Sequence, residues 1–229
     1  MTDTPKTPEQ GPWAENSAAS TPSEASNGSA PAPALSDRFG HRTYVLKKQF
    51  FKMFGGKFRF YDANNNLVFF SKRKSFKLKE EIRLWTGEDM KEEVLSIKAR
   101  AIIDLGSTYD VTDSSTGEKV GALRRKFFKS VIQDEWLILD AQDREMGKIK
   151  EDSTALALIR RFIDFAKLFL PQSFHGYIGS TPVCIFKQNA NPFLAQITVD
   201  FSADTGNILD RRLGIAAAVL LCAIEGKQR

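Results

Sequence analysis

The protein has 229 residues, room for one large domain or two small ones, and its 42% hydrophobic and 27% charged residues are those of an ordinary globular chain. Two cysteines and two histidines exclude a disulfide framework and almost any zinc site built from Cys and His. A net charge of +5 and a sequence pI of about 9.1 favour anionic partners mildly, short of a nucleic-acid-binding signature.

Residues 1–40 stand apart. They hold six of the nine prolines and carry a net −3, which leaves +8 for the rest. With few apolar side chains, such a segment cannot offset its ordering entropy, so 1–38 reads as a disordered Pro/Ser/Ala-rich tail before a single domain at 39–229. It lacks the basic start and apolar run of a secretory signal, and Thr2 instead of Gly speaks against myristoylation. Gly226-Lys-Gln-Arg229 is no prenylation box.

From Tyr44 onward, short apolar runs alternate with turn signals. Phe58-Arg-Phe-Tyr61 and Leu67-Val-Phe-Phe70 flank Asp62-Ala-Asn-Asn-Asn66 and read as a hairpin. Ile82-Arg-Leu-Trp85, Val94-Leu-Ser-Ile97 and Ala101-Ile-Ile103 fit further strands. The hairpin pattern returns at Tyr109–Leu123 around Thr112–Gly117, at Glu135–Ile149 around Asp140–Asp143, and at Val183–Val199 around Asn189–Pro192. About ten to twelve strands in one domain must curl into a barrel or split into two sheets.

Two stretches break this rhythm. Ala155 to Leu170 repeats apolar residues at i, i+3 and i+4, with Ser153 to cap it and Pro171 to stop it, which predicts an amphipathic helix over 154–169. It packs on the outside or over one end of the sheet, or lies on a membrane surface. Leu213–Ile224 is twelve residues without charge. At about 1.5 Å per residue it spans ~18 Å, too short for a ~30 Å bilayer core, and a helix apolar on every side must be surrounded by protein. A sheet curled round one slim, Ala-rich helix at 208–225 satisfies both elements. The fold class predicted is therefore mainly β with α: a closed antiparallel barrel of about twelve strands around a central hydrophobic C-terminal helix.

The combination of Tyr44-Val-Leu-Lys-Lys-Gln-Phe-Phe-Lys52, Tyr109-Asp-Val-Thr-Asp-Ser-Ser-Thr-Gly-Glu-Lys-Val-Gly-Ala-Leu-Arg-Arg-Lys126, Trp136-Leu-Ile-Leu-Asp140 and the terminal apolar helix resembles the tubby C-terminal superfamily. Within it, the chain is most similar over about 44–225 to LURP-one-related and phospholipid scramblase-like proteins. The resemblance implies a twelve-stranded barrel closed around a C-terminal helix, in a family of lipid-associated and regulatory members. The cysteine-rich palmitoylation cluster of scramblases and an acidic calcium loop are absent from the sequence.

The strongest functional signal recurs. Leu46-Lys-Lys-Gln-Phe-Phe-Lys52 and Leu123-Arg-Arg-Lys-Phe-Phe-Lys129 share the order Leu, basic, basic, x, Phe, Phe, Lys, with Phe70-Ser-Lys-Arg-Lys-Ser-Phe76 a looser relative. Ammonium and guanidinium groups hold phosphate oxygens, and neighbouring rings insert among acyl chains or stack on bases. The plainer reading is a pair of barrel strands whose alternation turns Phe inward and Lys outward. The lipid reading assigns Lys47, Lys48, Lys52, Arg124, Arg125, Lys126 and Lys129 to an anionic phospholipid or membrane surface, and nucleic acid is disfavoured. Arg211-Arg212 sits at the start of the central helix, where Asp210 or a bound anion would offset its charge. His41 and His175 lie far apart, the carboxylates fall in turns, and no nucleotide loop, serine elbow or metal motif occurs. The sequence thus predicts a non-enzymatic module without cofactor, catalytic residue or metal, cytoplasmic and peripheral to the membrane. The alternative is a regulatory scaffold that recruits a protein partner through its tail.

Overall fold

A computed structural model of the protein describes residues 1–2, 35–51, 55–73, 81–100, 107–126, 135–152, 172–189 and 195–224. By contacts the chain divides into Met1–Ala32 and Pro33–Arg229, and the elements below belong to the second unit. Residues 3–34 of the expected tail, the amphipathic helix expected at 154–169 and the strand expected at Ala101–Ile103 lie outside the described residues.

The second unit is a closed barrel of twelve antiparallel strands in the ring order β1-β12-β11-β10-β9-β8-β7-β6-β5-β4-β3-β2. The strands are β1 (Thr43–Phe51), β2 (Gly55–Tyr61), β3 (Leu67–Arg73), β4 (Ile82–Trp85), β5 (Glu93–Ala99) and β6 (Thr108–Asp113). They continue with β7 (Lys119–Lys126), β8 (Glu135–Leu139), β9 (Glu145–Glu151), β10 (Ser173–Ile178), β11 (Thr181–Gln188) and β12 (Ala195–Asp200). Two helices are described, α1 (Leu35–Phe39) and α2 (Arg211–Ile224). Closure pairs β1 with β12, from Thr43 opposite Asp200 to Lys48 opposite Ala195. A closed barrel leaves no unpaired strand edge.

Carboxylates set several of the turns. Asp62 Oδ1 accepts the backbone N–H groups of Asn64 and Asn66 at 2.9 and 2.8 Å, and Asn65 adopts φ 62° beside it. Asp140 Oδ1 does the same for Gln142 and Arg144, both at 2.9 Å. Asp113 Oδ1 takes the Ser115 N–H at 2.9 Å, and Gly117 supplies φ 75° in that turn.

Period-two alternation fills the interior. Tyr44, Leu46, Phe58, Phe60, Ile97, Leu123, Trp136, Ile149 and Phe186 are all buried in one cluster with α2. Every residue of α2 from Leu213 to Ala223 is buried, so the barrel wall supplies the apolar surround its composition demands. No helix among the described residues is long and apolar enough to cross a membrane. The fit is tight: a Cβ at Gly214 would lie 2.4 Å from the Phe201 ring. The helix begins at Arg211, three residues inside the expected start at 208, because Asp210 caps it: its carbonyl accepts the Leu213 N–H at 3.0 Å and its Oδ1 the Arg212 N–H at 2.9 Å. A smaller buried cluster, Ala122, Leu137 and Leu139, lies on the opposite face of β7 and β8 from Leu123 and Ile138.

Described structure joined to the barrel begins ahead of residue 39, in α1. Arg38, only 8% exposed, donates from Nη1 to the carbonyls of Val68 at 2.9 Å and Thr86 at 3.2 Å. Its own carbonyl accepts the Tyr44 hydroxyl at 2.8 Å, and Phe39 packs on Phe69 with ring centroids 4.7 Å apart. Burial pushes the Tyr44 hydroxyl pKa well up, so it stays a donor.

Candidate anionic-lipid interface

Strand direction gives the barrel two distinct mouths. At the first, α2 begins and the connections 62–66, 86–92, 114–118, 140–144, 179–180 and 201–210 run from strand to strand or into α2. At the second, α2 ends and the odd-numbered strands arrive. β1 and β7 sit six places apart on the ring and both run into the second mouth. The two copies of the basic–aromatic element therefore approach that mouth from opposite sides of α2.

The copies align in parity. Leu46 and Leu123 both point into the core. One residue on, Lys47 and Arg124 face outward: Lys47 Nζ lies 4.5 Å from the Tyr61 ring centroid and 3.4 Å from Asn65 Oδ1, and Arg124 Nε donates to Thr108 Oγ1 at 3.2 Å. Two residues on, parity turns the second basic residue inward. Lys48 is 1% exposed and donates to the Cys222 carbonyl at 2.9 Å. That carbonyl belongs to the last turn of α2, where a cation meets the negative end of the helix dipole. Arg125 is half-buried, with its guanidinium carbon 6.0 Å from the Trp136 ring centroid.

The set expected to meet lipid is thus divided. Lys47, Arg124 and Lys126 stand on the outer face, Lys126 paired with Glu135 at 3.1 Å. Lys48 is corrected: it serves the interior and offers no charge to a surface. Arg125 takes the equivalent inward position on β7. Lys52 and Lys129 lie outside the described residues. The expectation that alternation turns every lysine of the element outward fails at its second basic position, because Leu46 and Leu123 fix the phase.

The first mouth holds an open recess of about 520 Å³ beside the start of α2, lined by Phe39, Val94, Asp113, Leu209, Arg211 and Arg212 among others. Its cations are already satisfied. Arg212 binds Asp210 and Asp113, each at 2.6 Å, which raises its pKa. Arg211 lies 3.3 Å from Asp204 and 4.5 Å above the Phe201 ring. Asp204 is nearly fully buried and accepts the N–H groups of Ile208 and Leu209 at 2.9 and 3.2 Å. Sequence reasoning passed over Asp204 and Arg38; both act through chain segments that only folding brings close.

Acid–base chemistry finds little purchase. Burial pulls the Asp113 carboxyl up, but hydrogen bonds from Ser115 and Arg212 outweigh it and leave it lowered. Hydrogen bonds from Arg100 lower Asp110 and, with Lys119, bring Asp143 to about 2. Among the described carboxylates, every shifted one moves down, the opposite of a poised general acid. Burial pushes the Cys184 and Cys222 thiols up to about 12 and about 11. His175 Nε2 lies 3.7 Å from Asp152, and His41 donates its backbone N–H to Tyr44.

A closed antiparallel barrel of twelve strands sheathing a C-terminal helix is the tubby-like architecture. A family model described as LURP-one-related matches residues 68–222, two thirds of the chain. The protein belongs to the LURP-one-related family, which lies within the tubby-like superfamily. The match begins in β3, so β1 and β2, which close the ring, precede it. No curated protein and no solved structure matches the chain.

Proposed function

We propose that this LURP-one-related chain is a non-enzymatic module that binds anionic phospholipid at a membrane surface, peripherally and from the cytoplasm. One observation carries the reading: the basic–aromatic element occurs on two strands on opposite sides of the ring, and both lead into the same mouth. Arg124 and Lys126 supply outward charge towards that mouth, Lys47 stands further back on β1 with its Nζ beside Asn65, and Lys52 and Lys129 follow the strands in sequence. Each basic residue near an anionic leaflet contributes about 1 kcal/mol, so several together hold a protein that no one of them would. Lys48 has no part in the contact.

Sedimentation with vesicles tests this. The full chain pellets with vesicles rich in phosphatidylserine at low salt, does not pellet with phosphatidylcholine alone, and loses binding as salt rises. Equal, negligible pelleting with both lipids at low salt overturns the reading.

A further inference from the structure

The described charges are distributed unevenly along the barrel. The six connections at the first mouth hold nine Asp or Glu residues against Lys91 and Arg144, with Arg211 and Arg212 just beyond them; of the nine, Asp204 is buried and Asp143 turns to the outer face against Arg100 and Lys119. At the second mouth, the strand ends present the exposed cations Lys72, Lys98, Arg124, Lys150 and Lys187. Of the carboxylates described there, Asp152 is partly exposed beside His175, at 3.7 Å, and the others are withdrawn. Glu81 accepts from Ser96 at 2.5 Å and from Arg83 at 2.9 Å, and Glu135 pairs with Lys126 and Lys150 at 3.1 and 3.6 Å. Glu151 is buried and accepts from Gln172 at 3.1 Å.

We infer that the barrel docks end-on, with the second mouth against the anionic bilayer and the acidic first mouth turned away from it. This rests on the proposed affinity for anionic membranes and adds its direction. Screening decides whether the acidic end cancels the attraction. Along the axis the mouths are separated by about the length of α2, 14 residues and therefore about 21 Å, although on the outer face Asp143 reaches back to Arg100 at the end of β5. The Debye length at physiological salt is about 8 Å, so roughly a tenth of the far mouth's influence survives that distance. A bilayer at the second mouth feels chiefly its cations, whereas a bilayer at the first mouth meets chiefly carboxylates, Glu92 and Glu118 exposed among them. The net charge of +5 understates the attraction in one orientation and overstates it in the other.

Fluorescence quenching reads the direction. Gln49, exposed near the second-mouth end of β1, and Asn64, exposed in a first-mouth turn, are replaced singly as Gln49→Cys and Asn64→Cys and labelled with a small fluorophore. Cys184 and Cys222 are buried and stay unlabelled. On phosphatidylserine vesicles doped with nitroxide-bearing lipid, the label at 49 is quenched and the label at 64 is not. Equal quenching at both sites, or stronger quenching at 64, overturns the orientation while the membrane affinity stands. Absence of pelleting with these vesicles overturns both.

A charge-swap pair guards against labelling artefacts. Lys72→Gln, Lys98→Gln and Lys187→Gln together weaken vesicle binding at least tenfold, with an unchanged melting temperature. Asp89→Asn, Glu92→Gln and Glu118→Gln together raise the net charge by three and change binding less than twofold. Equal and opposite effects of the two sets reduce the interaction to net charge and overturn the proposal. So does binding of a duplex or single-stranded oligonucleotide through the same lysines without binding of acidic vesicles.

Discussion

The two mouths of the barrel use charge in opposite ways. At the first, charge is consumed by the fold: Asp62, Asp113 and Asp140 build turns, Asp210 caps α2, and Asp204 gathers two backbone N–H groups and Arg211. At the second, an interior cation, Lys48, closes the helix end, while exposed lysines are left facing solvent. Similar counts of charged side chains thus mean structure at one end and an offered surface at the other. The contrast is sharpest where a residue can be removed and the two readouts, stability and vesicle binding, compared.

Asp204→Ala has the largest expected effect. It strands the buried N–H of Leu209 and the part-buried N–H of Ile208 and leaves Arg211 without its carboxylate. Breaking such a buried arrangement costs about 3–5 kcal/mol, read as a lower urea midpoint. A loss below about 1 kcal/mol would mean that water replaces the carboxylate and that the first mouth is less structural than argued.

Lys48→Ala comes next and separates the two basic residues of the element. It leaves the buried Cys222 carbonyl without its ammonium, a cost of about 1–3 kcal/mol, while the folded protein binds acidic vesicles as before. Lys47→Ala with Arg124→Ala shows the converse: stability within about 0.5 kcal/mol of the parent and weaker vesicle binding. If Lys48→Ala loses lipid binding at unchanged stability, the inward assignment of Lys48 is wrong in solution.

That division was partly legible in the amino-acid order. Period-two patterning and Asx-rich turns located most strands, and counting from Leu46 predicts that Lys48 falls on the inner face. Lysine's usual place on an outer face works against that count, and the phase set by Leu46 overrides it. β10 is weakly signalled in the sequence because Ser173-Phe-His-Gly-Tyr-Ile178 has little β-branched character and a central glycine. That glycine is there for packing, since a Cβ at Gly176 would lie 2.4 Å from Cys184 Sγ. Arg38 looked like the end of a solvated tail because its partners, the carbonyls of Val68 and Thr86, are 30 and 48 residues away. The lipid-facing set was legible as a repeated element, but its division into inner and outer members needed strand register.

Acid should weaken the charge network on the outer face between the mouths. Hydrogen bonds from Arg100 hold Asp110 below its ordinary value of 3.8, and those from Arg100 and Lys119 hold Asp143 at about 2. A carboxylate whose pKa is depressed by folding contributes stability that is full above about 4 and disappears as pH falls through the folded-state value. The melting temperature is therefore flat from neutrality to about pH 5 on this account and declines from about pH 4 towards pH 2. Because Asp143 is exposed, Asp143→Asn makes that decline only slightly shallower, and high salt does the same. A decline beginning above pH 5 would point to a different titrating group.

The smallest effect concerns the chain ahead of the barrel, and it decides between the lipid module and a tail-borne scaffold. Deleting residues 1–34 removes the Pro-rich segment but keeps α1, Arg38 and Phe39. Vesicle binding and melting temperature then stay at the parent's values. Deleting residues 1–38 adds the loss of two hydrogen bonds from Arg38 to barrel carbonyls and so lowers stability. Melting the two truncations side by side distinguishes a destabilised barrel from a lost docking segment. Vesicle binding that vanishes with 1–34 alone, at an unchanged melting temperature, would transfer the membrane contact from the barrel mouth to the tail.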